Sequence, residues 1–398
     1  MNLPRDAIAF WGTAVALILA YASSSTPVPL YETWRVADGL TYSDLSLSSV
    51  IYFIGAVSAL MFFGRLSDFL GRRPIAILAM LLAAISSVLF MFVDSALPLL
   101  LGRGLQGLAS GLASTAMTAW IVDSAKPHQR SLPPLIISVS PLVGLSLGSL
   151  GGGALITYAP LPRTLVFLTS LALIIISTLM LCFARESISR KPGVLQSMKP
   201  LVGLPEAGKR WYPIAAITFT CTWAMGGFYQ AFGPTIAAQY LHSTTAIAAA
   251  IVFASFMMPS IFGATLASKL TQERAVILGL LVFMVSAAGV AVSLYFGALV
   301  PFLICGALAG TAQGACMNGG IRLLMTGAQP HQRASTFSVI YATAYTGAAI
   351  PTLVVGRLTG SFSLMELVFG YAMLAVLGFA LVSLLMLAQL RKQQLPLV

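Results

Sequence analysis

The sequence predicts an all-α membrane protein with twelve transmembrane helices in two pseudo-symmetric six-helix bundles. Three observations lead to this prediction: the composition, the number of long apolar stretches, and an internal repeat. Hydrophobic residues make up 58% of the 398-residue chain and charged residues only 8%. Soluble domains carry about 25% charged residues, so lipid must surround most of this chain.

The chain contains twelve apolar stretches that are long enough to cross a bilayer. An apolar helix of about 20 residues spans the hydrocarbon core and satisfies its own backbone hydrogen bonds there. The stretches lie at 7–29, 44–63, 74–93, 98–124, 133–157, 163–184, 211–238, 243–267, 275–295, 298–327, 335–357 and 364–389. We therefore expect a first bundle at 1–184, a cytoplasmic linker at 185–210 and a second bundle at 211–398. Ala20-Tyr21-Ala22 imitates a signal-peptidase site, but we expect the first helix to be retained because its loss would break the six-plus-six count.

An internal repeat supports the division into two halves. The tetrapeptide Pro-His-Gln-Arg at 127–130, after the fourth stretch, recurs at 330–333, after the tenth. Glycines match at the same offset, Gly107 with Gly310 and Gly111 with Gly314. Parallel six-helix halves are typical of transporters in which one half rocks against the other around a site at the membrane midplane.

The positive charge of the chain indicates its topology. The net charge is +11, and most of the 22 Lys and Arg residues fall in segments that share one side if the N-terminus is cytoplasmic. This is the positive-inside pattern of membrane proteins. We expect a multi-pass protein of the inner membrane with both termini cytoplasmic, and no nucleic-acid partner.

The sequence predicts no cofactor and no metal site. Its four cysteines, Cys182, Cys221, Cys305 and Cys316, lie in apolar stretches at no metal-ligand spacing. It contains no G-x-x-x-x-G-K-[ST] loop for ATP hydrolysis. Without paired carboxylates or a large soluble domain, an intramembrane enzyme or receptor is only a remote alternative.

The segment from Gly64 to Pro74, between the second and third stretches, reads GRLSDFLGRRP. Gly64 permits a close helix approach, and Gly71 permits a turn that other residues resist. Spacing and location resemble the G-x-L-x-D-x-x-G-R-R/K signature of the major facilitator superfamily. This resemblance implies the fold predicted above and a transport function.

The same resemblance implies a cytoplasmic gate. Asp68 would cap the start of the eleventh helix near Ser335, a favourable charge–dipole contact. Arg72 would pair with Asp123 at the end of the fourth helix. With Arg73, these residues would hold the cytoplasmic side closed, whereas a simpler interpretation is that they fix a tight turn and the topology.

Arg103-Gly104-Leu105-Gln106-Gly107, in the fourth stretch, resembles the R-x-x-Q-G motif of the same superfamily. An arginine inside a membrane span is costly and normally faces a cavity or a partner. We expect Arg103 and Gln106 to face a substrate cavity. The alternative is that Arg103 extends to the outer interface.

The fifth stretch contains Pro141 and a series of glycines at 144, 148 and 152. It resembles the g-x-x-x-G-P-x-x-G motif of drug–proton antiporters, but Ile136 and Ser140 replace its first two glycines. Gly144, Gly148 and Gly152 also suit close packing of two helices. Both interpretations remain open.

Polar and aromatic residues within spans are the best candidates for a substrate cavity. The candidates are Tyr21, Tyr52, Arg103, Gln106, Trp223, Tyr229, Gln230, Phe256, Gln313, Asn318, Arg322, Tyr341 and Tyr345. They include two arginines and no carboxylate, so a cationic substrate would lack a counter-charge. The set indicates a roomy, largely aromatic pocket.

These features favour a secondary active transporter, most simply a proton-coupled exporter working by alternating access. Its substrates would be small amphipathic compounds that are neutral, zwitterionic or anionic. Asp123 and Glu32 are the candidates for proton coupling. The alternative is a facilitator or importer of a small metabolite such as a sugar or an organic acid. We expect its partners to be the substrate, protons and membrane lipid, and the protein to be a monomer.

Overall fold

The structure, a computed structural model, describes residues 3–129, 131–200, 202–329 and 332–394. Within these residues the predicted all-helical fold with twelve long helical spans is confirmed. Arg130, Pro330 and His331 of the repeated tetrapeptide lie outside the described residues. Spans one to twelve are Arg5–Ala37, Tyr42–Phe63, Arg72–Met91, Ala96–Ser124, Leu132–Tyr158, Pro162–Phe183, Tyr212–Gln239, Ala246–Ala267, Gln272–Tyr295, Leu299–Leu324, Arg333–Leu358 and Leu364–Gln394.

Ten of these spans are long and apolar enough to cross a membrane by length and composition alone. The other two, spans four and seven, are 29 and 28 residues long but carry more small and polar residues. These two spans hold Arg103, Gln106, Trp223 and Gln230. Residues that are candidates for the cavity are thus among the polar residues of these two spans.

The chain forms two compact units. Unit 1 contains Met1–Pro200, Gln230–Gln239 and Ser243–Ala254, and unit 2 contains Leu201–Tyr229, Tyr240–His242 and Ser255–Val398. The last part of span seven and the first part of span eight thus group with spans one to six. The bundle boundaries expected at 184 and 211 remain a prediction.

Prolines divide span one into pieces. An α-helix covers Thr13–Ser25, a 3₁₀ turn covers Val28–Leu30, and a short α-helix covers Tyr31–Ala37. Pro27 and Pro29 have no N–H group, so each removes a bond that a continuous helix would make to the carbonyl four residues earlier. The carbonyls of Ser23 and Ser25 are therefore left without their usual helical partners.

Glycines allow matching helix contacts in the two halves of the sequence. A Cβ at Gly107 of span four would lie 2.1 Å from the Tyr52 carbonyl oxygen of span two. A Cβ at Gly310 of span ten would lie 1.9 Å from the Phe256 carbonyl oxygen of span eight. The glycines that match in the sequence repeat thus make equivalent contacts.

Span five packs on span one through its glycines. A Cβ would lie 2.6 Å from the Ile18 carbonyl oxygen at Gly144, 1.9 Å from that of Ala22 at Gly148, and 3.0 Å from that of Thr26 at Gly152. Pro141 lies inside the same helix. Close packing accounts for these glycines, and the antiporter interpretation of the motif remains a prediction.

Candidate functional site

A cluster of charges lies in unit 1 where span two ends, span three begins and span four ends. Arg72 donates from Nε to Asp123 Oδ2 at 3.0 Å and from Nη1 to Ser67 Oγ at 2.8 Å. Its Nη1 also forms an ion pair with Asp68. Arg72 therefore links the loop after span two to the end of span four.

Gly64, Gly71 and Arg73 of this loop each have a different structural role. Gly71 has φ +107°, which favours glycine. Gly64 ends span two, and a Cβ there would lie 3.7 Å from the Thr115 methyl of span four. Arg73 donates from Nη1 to the Cys182 carbonyl at 3.2 Å. Arg73 thus connects the start of span three to the end of span six.

Arg103 is completely buried in unit 1, so it does not extend to the interface. Its Nη1 donates to the Ser24 carbonyl at 2.5 Å and to Gln106 Oε1 at 3.1 Å, and its Nε donates to the Tyr31 hydroxyl. Nη2 is buried and has no hydrogen-bond partner. Among the described residues Arg103 makes no ion pair. A buried guanidinium without a carboxylate can donate hydrogen bonds to an anionic or carbonyl oxygen.

Gln106 supplies the bond that Pro27 removes from span one. Its Nε2 donates to the Ser23 carbonyl, the group left open because Pro27 lacks an N–H. Arg103 donates to the next carbonyl along, that of Ser24. The R-x-x-Q motif thus caps the broken end of the Thr13–Ser25 helix from span four.

Two aromatic rings flank the guanidinium. The carbon at its centre lies 5.1 Å from the Tyr31 ring and 5.8 Å from the Tyr52 ring, within cation–π range. Tyr52 was predicted from the sequence. Tyr31 was missed, because it follows the proline break and carries no motif. Tyr21, also predicted, is buried against Gly144 of span five.

Glu32 lies in the short helix that ends span one, and side chains of span seven donate hydrogen bonds to it. It accepts from Arg35 Nη2 at 2.7 Å, from Thr235 Oγ1 at 2.7 Å and from Gln239 Nε2 at 3.2 Å. Gln239 Nε2 also lies 2.9 Å from the Tyr42 hydroxyl. Glu32 lines a recess of about 260 Å³. Thr235 and Gln239 were not predicted, because only the fold brings them to Glu32.

Unit 2 contains an aromatic cluster around Tyr229. The Tyr229 ring stacks on Phe256 with centroids 4.8 Å apart and on Phe302 at 5.9 Å. The Tyr229 hydroxyl is buried without a partner. A Cβ at Gly306 would lie 3.0 Å from that hydroxyl, so the glycine leaves room for it.

A second aromatic series in unit 2 follows span eleven. Phe337 stacks on Tyr341 at 6.2 Å, Tyr341 lies 6.2 Å from Tyr345, and Tyr345 meets Trp223 edge-on at 5.2 Å. Residues four apart share one helix face. The Trp223 indole N–H and Asn318 Oδ1 are buried without partners, so both can bond a ligand.

The other predicted residues have different surroundings. Gln313 accepts from Ser260 at 3.3 Å. Arg322 donates to the carbonyls of Ala267 and Leu270 at 3.1 and 2.9 Å, where a cation stabilises the end of span eight. Gln230 is buried in unit 1. The contacts of Arg322 favour helix capping over substrate binding.

These features define a multi-pass membrane transporter with buried polar sites in its helices. The sequence profile of the Major Facilitator Superfamily matches residues 13–352. The chain belongs to this superfamily, and it is a transporter rather than an enzyme.

Similar proteins agree with this assignment. The multidrug resistance protein MdtL of Klebsiella pneumoniae is 31% identical over 141 residues, covering 34% of this chain and 36% of MdtL. The inner membrane transport protein YajR of Escherichia coli is 28% identical over 138 residues, 34% of this chain and 30% of YajR. A transporter of Rickettsia bellii is 32% identical over 125 residues, 31% of each chain. The chain thus matches about a third of the length of these curated relatives.

A solved structure has the same fold over nearly the full length of the chain. The crystal structure of a bacterial homologue of the human lysosomal transporter Spinster, described as inward-facing and unoccupied, superposes with a TM-score of 0.80. The two sequences are 15% identical, and the superposition covers 99% of each chain. At this identity the likeness establishes the fold.

Proposed function

We propose that this transporter is a proton-coupled exporter of small amphipathic compounds that are neutral, zwitterionic or anionic. The observation that carries the proposal is the buried guanidinium of Arg103, whose Nη2 is unpartnered and which has no carboxylate beside it among the described residues. A cationic substrate would add a second unpaired charge there, whereas an anionic or carbonyl group would accept from Nη2.

Further support comes from the aromatic residues and the relatives. Trp223, Tyr229, Phe256, Tyr341 and Tyr345 offer rings and buried polar atoms suited to compounds with apolar bodies and few polar groups. Among the relatives, MdtL is named a multidrug resistance protein. We propose that these residues, with Arg103 and Gln106, contact the substrate during alternating access.

The proposed gates lie at both ends of the spans. On the cytoplasmic side, the contacts of Arg72 with Asp68 and Asp123 would form in one state and break in the other. On the outer side, Glu32 would hold Thr235 and Gln239. Asp123 and Glu32 are the proposed proton-coupling groups, since each can exchange a bonded partner for a proton.

A facilitator or importer of a small metabolite is the second candidate. One observation favours it: Asp123 and Glu32 are both ion-paired near span ends, where a carboxylate can serve a gate without carrying a proton. Such a transporter would equilibrate its substrate and would not concentrate it.

Transport in proteoliposomes separates the two candidates. Substrates would first be found by screening cells that lack or overproduce the protein against a compound panel. With an imposed pH gradient, an exporter coupled to protons accumulates the compound, and accumulation collapses when a protonophore removes the gradient. Equilibration that ignores the gradient would overturn the proposed coupling.

A further inference from the structure

We infer that Glu186, the second residue of the predicted linker, positions Arg72 in the cytoplasmic gate by capping the start of span three. Glu186 follows span six and belongs to no motif that the sequence indicates. This inference rests on the gate proposed above, and its first test needs no substrate.

The start of span three lacks a cap of its own. Its N-cap residue is Gly71, which has no side chain to accept a bond, and no side-chain cap bond forms there. Pro74, the third residue of the helix, has no N–H. The exposed donors of the first turn are therefore the N–H groups of Arg72 and Arg73, and they need an acceptor.

Glu186 accepts both of these bonds from across the fold. Its Oε1 lies 2.9 Å from the Arg72 nitrogen, and its Oε2 lies 3.0 Å from the Arg73 nitrogen. The carboxylate also faces the positive end of the helix dipole. A negative charge is thus placed where the helix favours one.

Gly71 leaves room for this carboxylate. A Cβ at Gly71 would lie 2.6 Å from Glu186 Oε2, closer than two such atoms can pack. The positive φ of Gly71 favours glycine, and a side chain there would also displace the Glu186 carboxylate.

The residues after Glu186 continue the contact. Ser187 Oγ donates to Asp123 Oδ2 at 3.1 Å, the same oxygen that accepts from Arg72 Nε. The Lys191 N–H donates to the Phe69 carbonyl at 2.9 Å. Both partners of the Arg72–Asp123 pair are thus held by consecutive residues of the linker. Glu186 acts through Arg72 and is a positioning residue.

The test compares Glu186→Gln with Glu206→Gln. Glu206 lies later in the same linker, its side chain is 88% exposed, and among the described residues it pairs with Lys209 alone, so it is a matched control. In purified protein, Glu186→Gln should speed amide hydrogen exchange in peptides covering 70–76 by about tenfold, because Arg72 and Arg73 lose a charged acceptor. Unchanged exchange in this segment would overturn the inference, whatever the protein transports.

Transport kinetics give the second measurement. Glu186→Gln should lower turnover severalfold and leave KM unchanged, because the gate is affected and the binding residues are not. Glu186→Asp, which keeps the charge, should recover part of the turnover. A rise in KM, or equal loss in the Gln and Asp variants, would contradict a positioning role. If exchange rises as expected but no proton-coupled transport is found, the capping role stands and the proposed function fails.

Discussion

Arg103 carries a positive charge into a site where carbonyls, a hydroxyl and two aromatic rings surround it. Oxygen dipoles and ring faces offset part of the cost of burying the charge. Since one guanidinium nitrogen remains unpartnered, the site is polar enough to bond a ligand and closed enough to need a movement before one enters.

The role of the Glu32 carboxylate can be tested by removing its charge. In Glu32→Gln the charge that holds Arg35, Thr235 and Gln239 is lost, and hydrogen bonds to a neutral group are weaker than those to a charged one. Ala238 lines the recess beside Glu32. We expect the cysteine introduced by Ala238→Cys to react severalfold faster with a thiol reagent when Glu32→Gln is also present. The measurement is the labelling rate of this cysteine.

A matched control for this prediction is Asp94→Asn. Asp94 is an exposed carboxylate whose side chain bonds the neighbouring Ser95, so its loss should leave the labelling rate unchanged. Equal rates in the Glu32→Gln and parent proteins would show that Glu32 does not hold the end of span seven.

The candidate residues differ in how far the sequence could predict them. Arg72 and Asp123 were paired through the family resemblance, and they lie together in the structure. Tyr31, Glu186, Thr235 and Gln239 were missed, because each acts on a residue far along the chain and only the fold sets that distance. Arg322 stands in a span in the sequence, but its bonds are to helix-end carbonyls.

A side chain of span four replaces a backbone hydrogen bond that span one lacks. Gln106 bonds the Ser23 carbonyl that Pro27 leaves open, so Gln106→Leu should destabilise the protein by about 1–3 kcal/mol, the cost of an unsatisfied buried carbonyl. In a Pro27→Ala background the restored N–H can serve that carbonyl. We expect the cost of Gln106→Leu to fall by about 1 kcal/mol there.

Denaturant unfolding in detergent micelles measures this double-mutant cycle. The control pair is Pro27→Ala with Ser138→Ala, because Ser138 is exposed and bonds only within its own helix. Additive effects of Pro27→Ala and Gln106→Leu would show that the Gln106 amide does not replace the bond that the proline removes.

Span five offers two glycines with opposite surroundings three residues apart. A Cβ at Gly148 would lie 1.9 Å from the Ala22 carbonyl oxygen, whereas a Cβ at Gly151 meets nothing within 4 Å. Gly148→Ala should therefore push spans one and five apart and destabilise the protein by about 1–3 kcal/mol. Gly151→Ala should be neutral or stabilise by up to about 1 kcal/mol, the gain in helix propensity. Thermal unfolding of the two variants gives the answer, and similar midpoints would contradict the packing described.

The breaks within spans were harder to predict than the spans themselves. Apolar length located all twelve spans, because the bilayer demands about 20 residues wherever a helix crosses it. It did not show that Pro27 and Pro29 divide span one, or that span eight divides at Pro259 between Met257 and Ser260. Those breaks depend on whether neighbouring helices supply the lost hydrogen bonds.

The whole molecule repeats one packing plan in its two sequence halves. Gly107 and Gly310 let span four approach span two and span ten approach span eight. Gly144 and Gly347, which match at the offset of the repeat, likewise let span five approach span one and span eleven approach span seven, with Cβ positions 2.6 Å from the Ile18 carbonyl oxygen and 2.6 Å from the Thr220 Cα. Two halves built alike are what a transporter needs if each side is to open in turn.

Orientation in the membrane is the last prediction, and it follows from where the charges lie. The positive-inside pattern places the loop after span four and the linker in the cytoplasm, and the loops after spans three and eleven outside. Four exposed positions report on these loops: His128 and Gln196 for the inside, Ser95 and Ser361 for the outside. Each is changed to cysteine after Cys182, which is exposed, is replaced by serine.

In intact cells a membrane-impermeant maleimide should label Ser95→Cys and Ser361→Cys, whereas His128→Cys and Gln196→Cys should react only after the membrane is opened. Labelling of His128→Cys in intact cells would reverse the orientation, and labelling of only one of His128→Cys and Gln196→Cys would contradict the even number of spans between them.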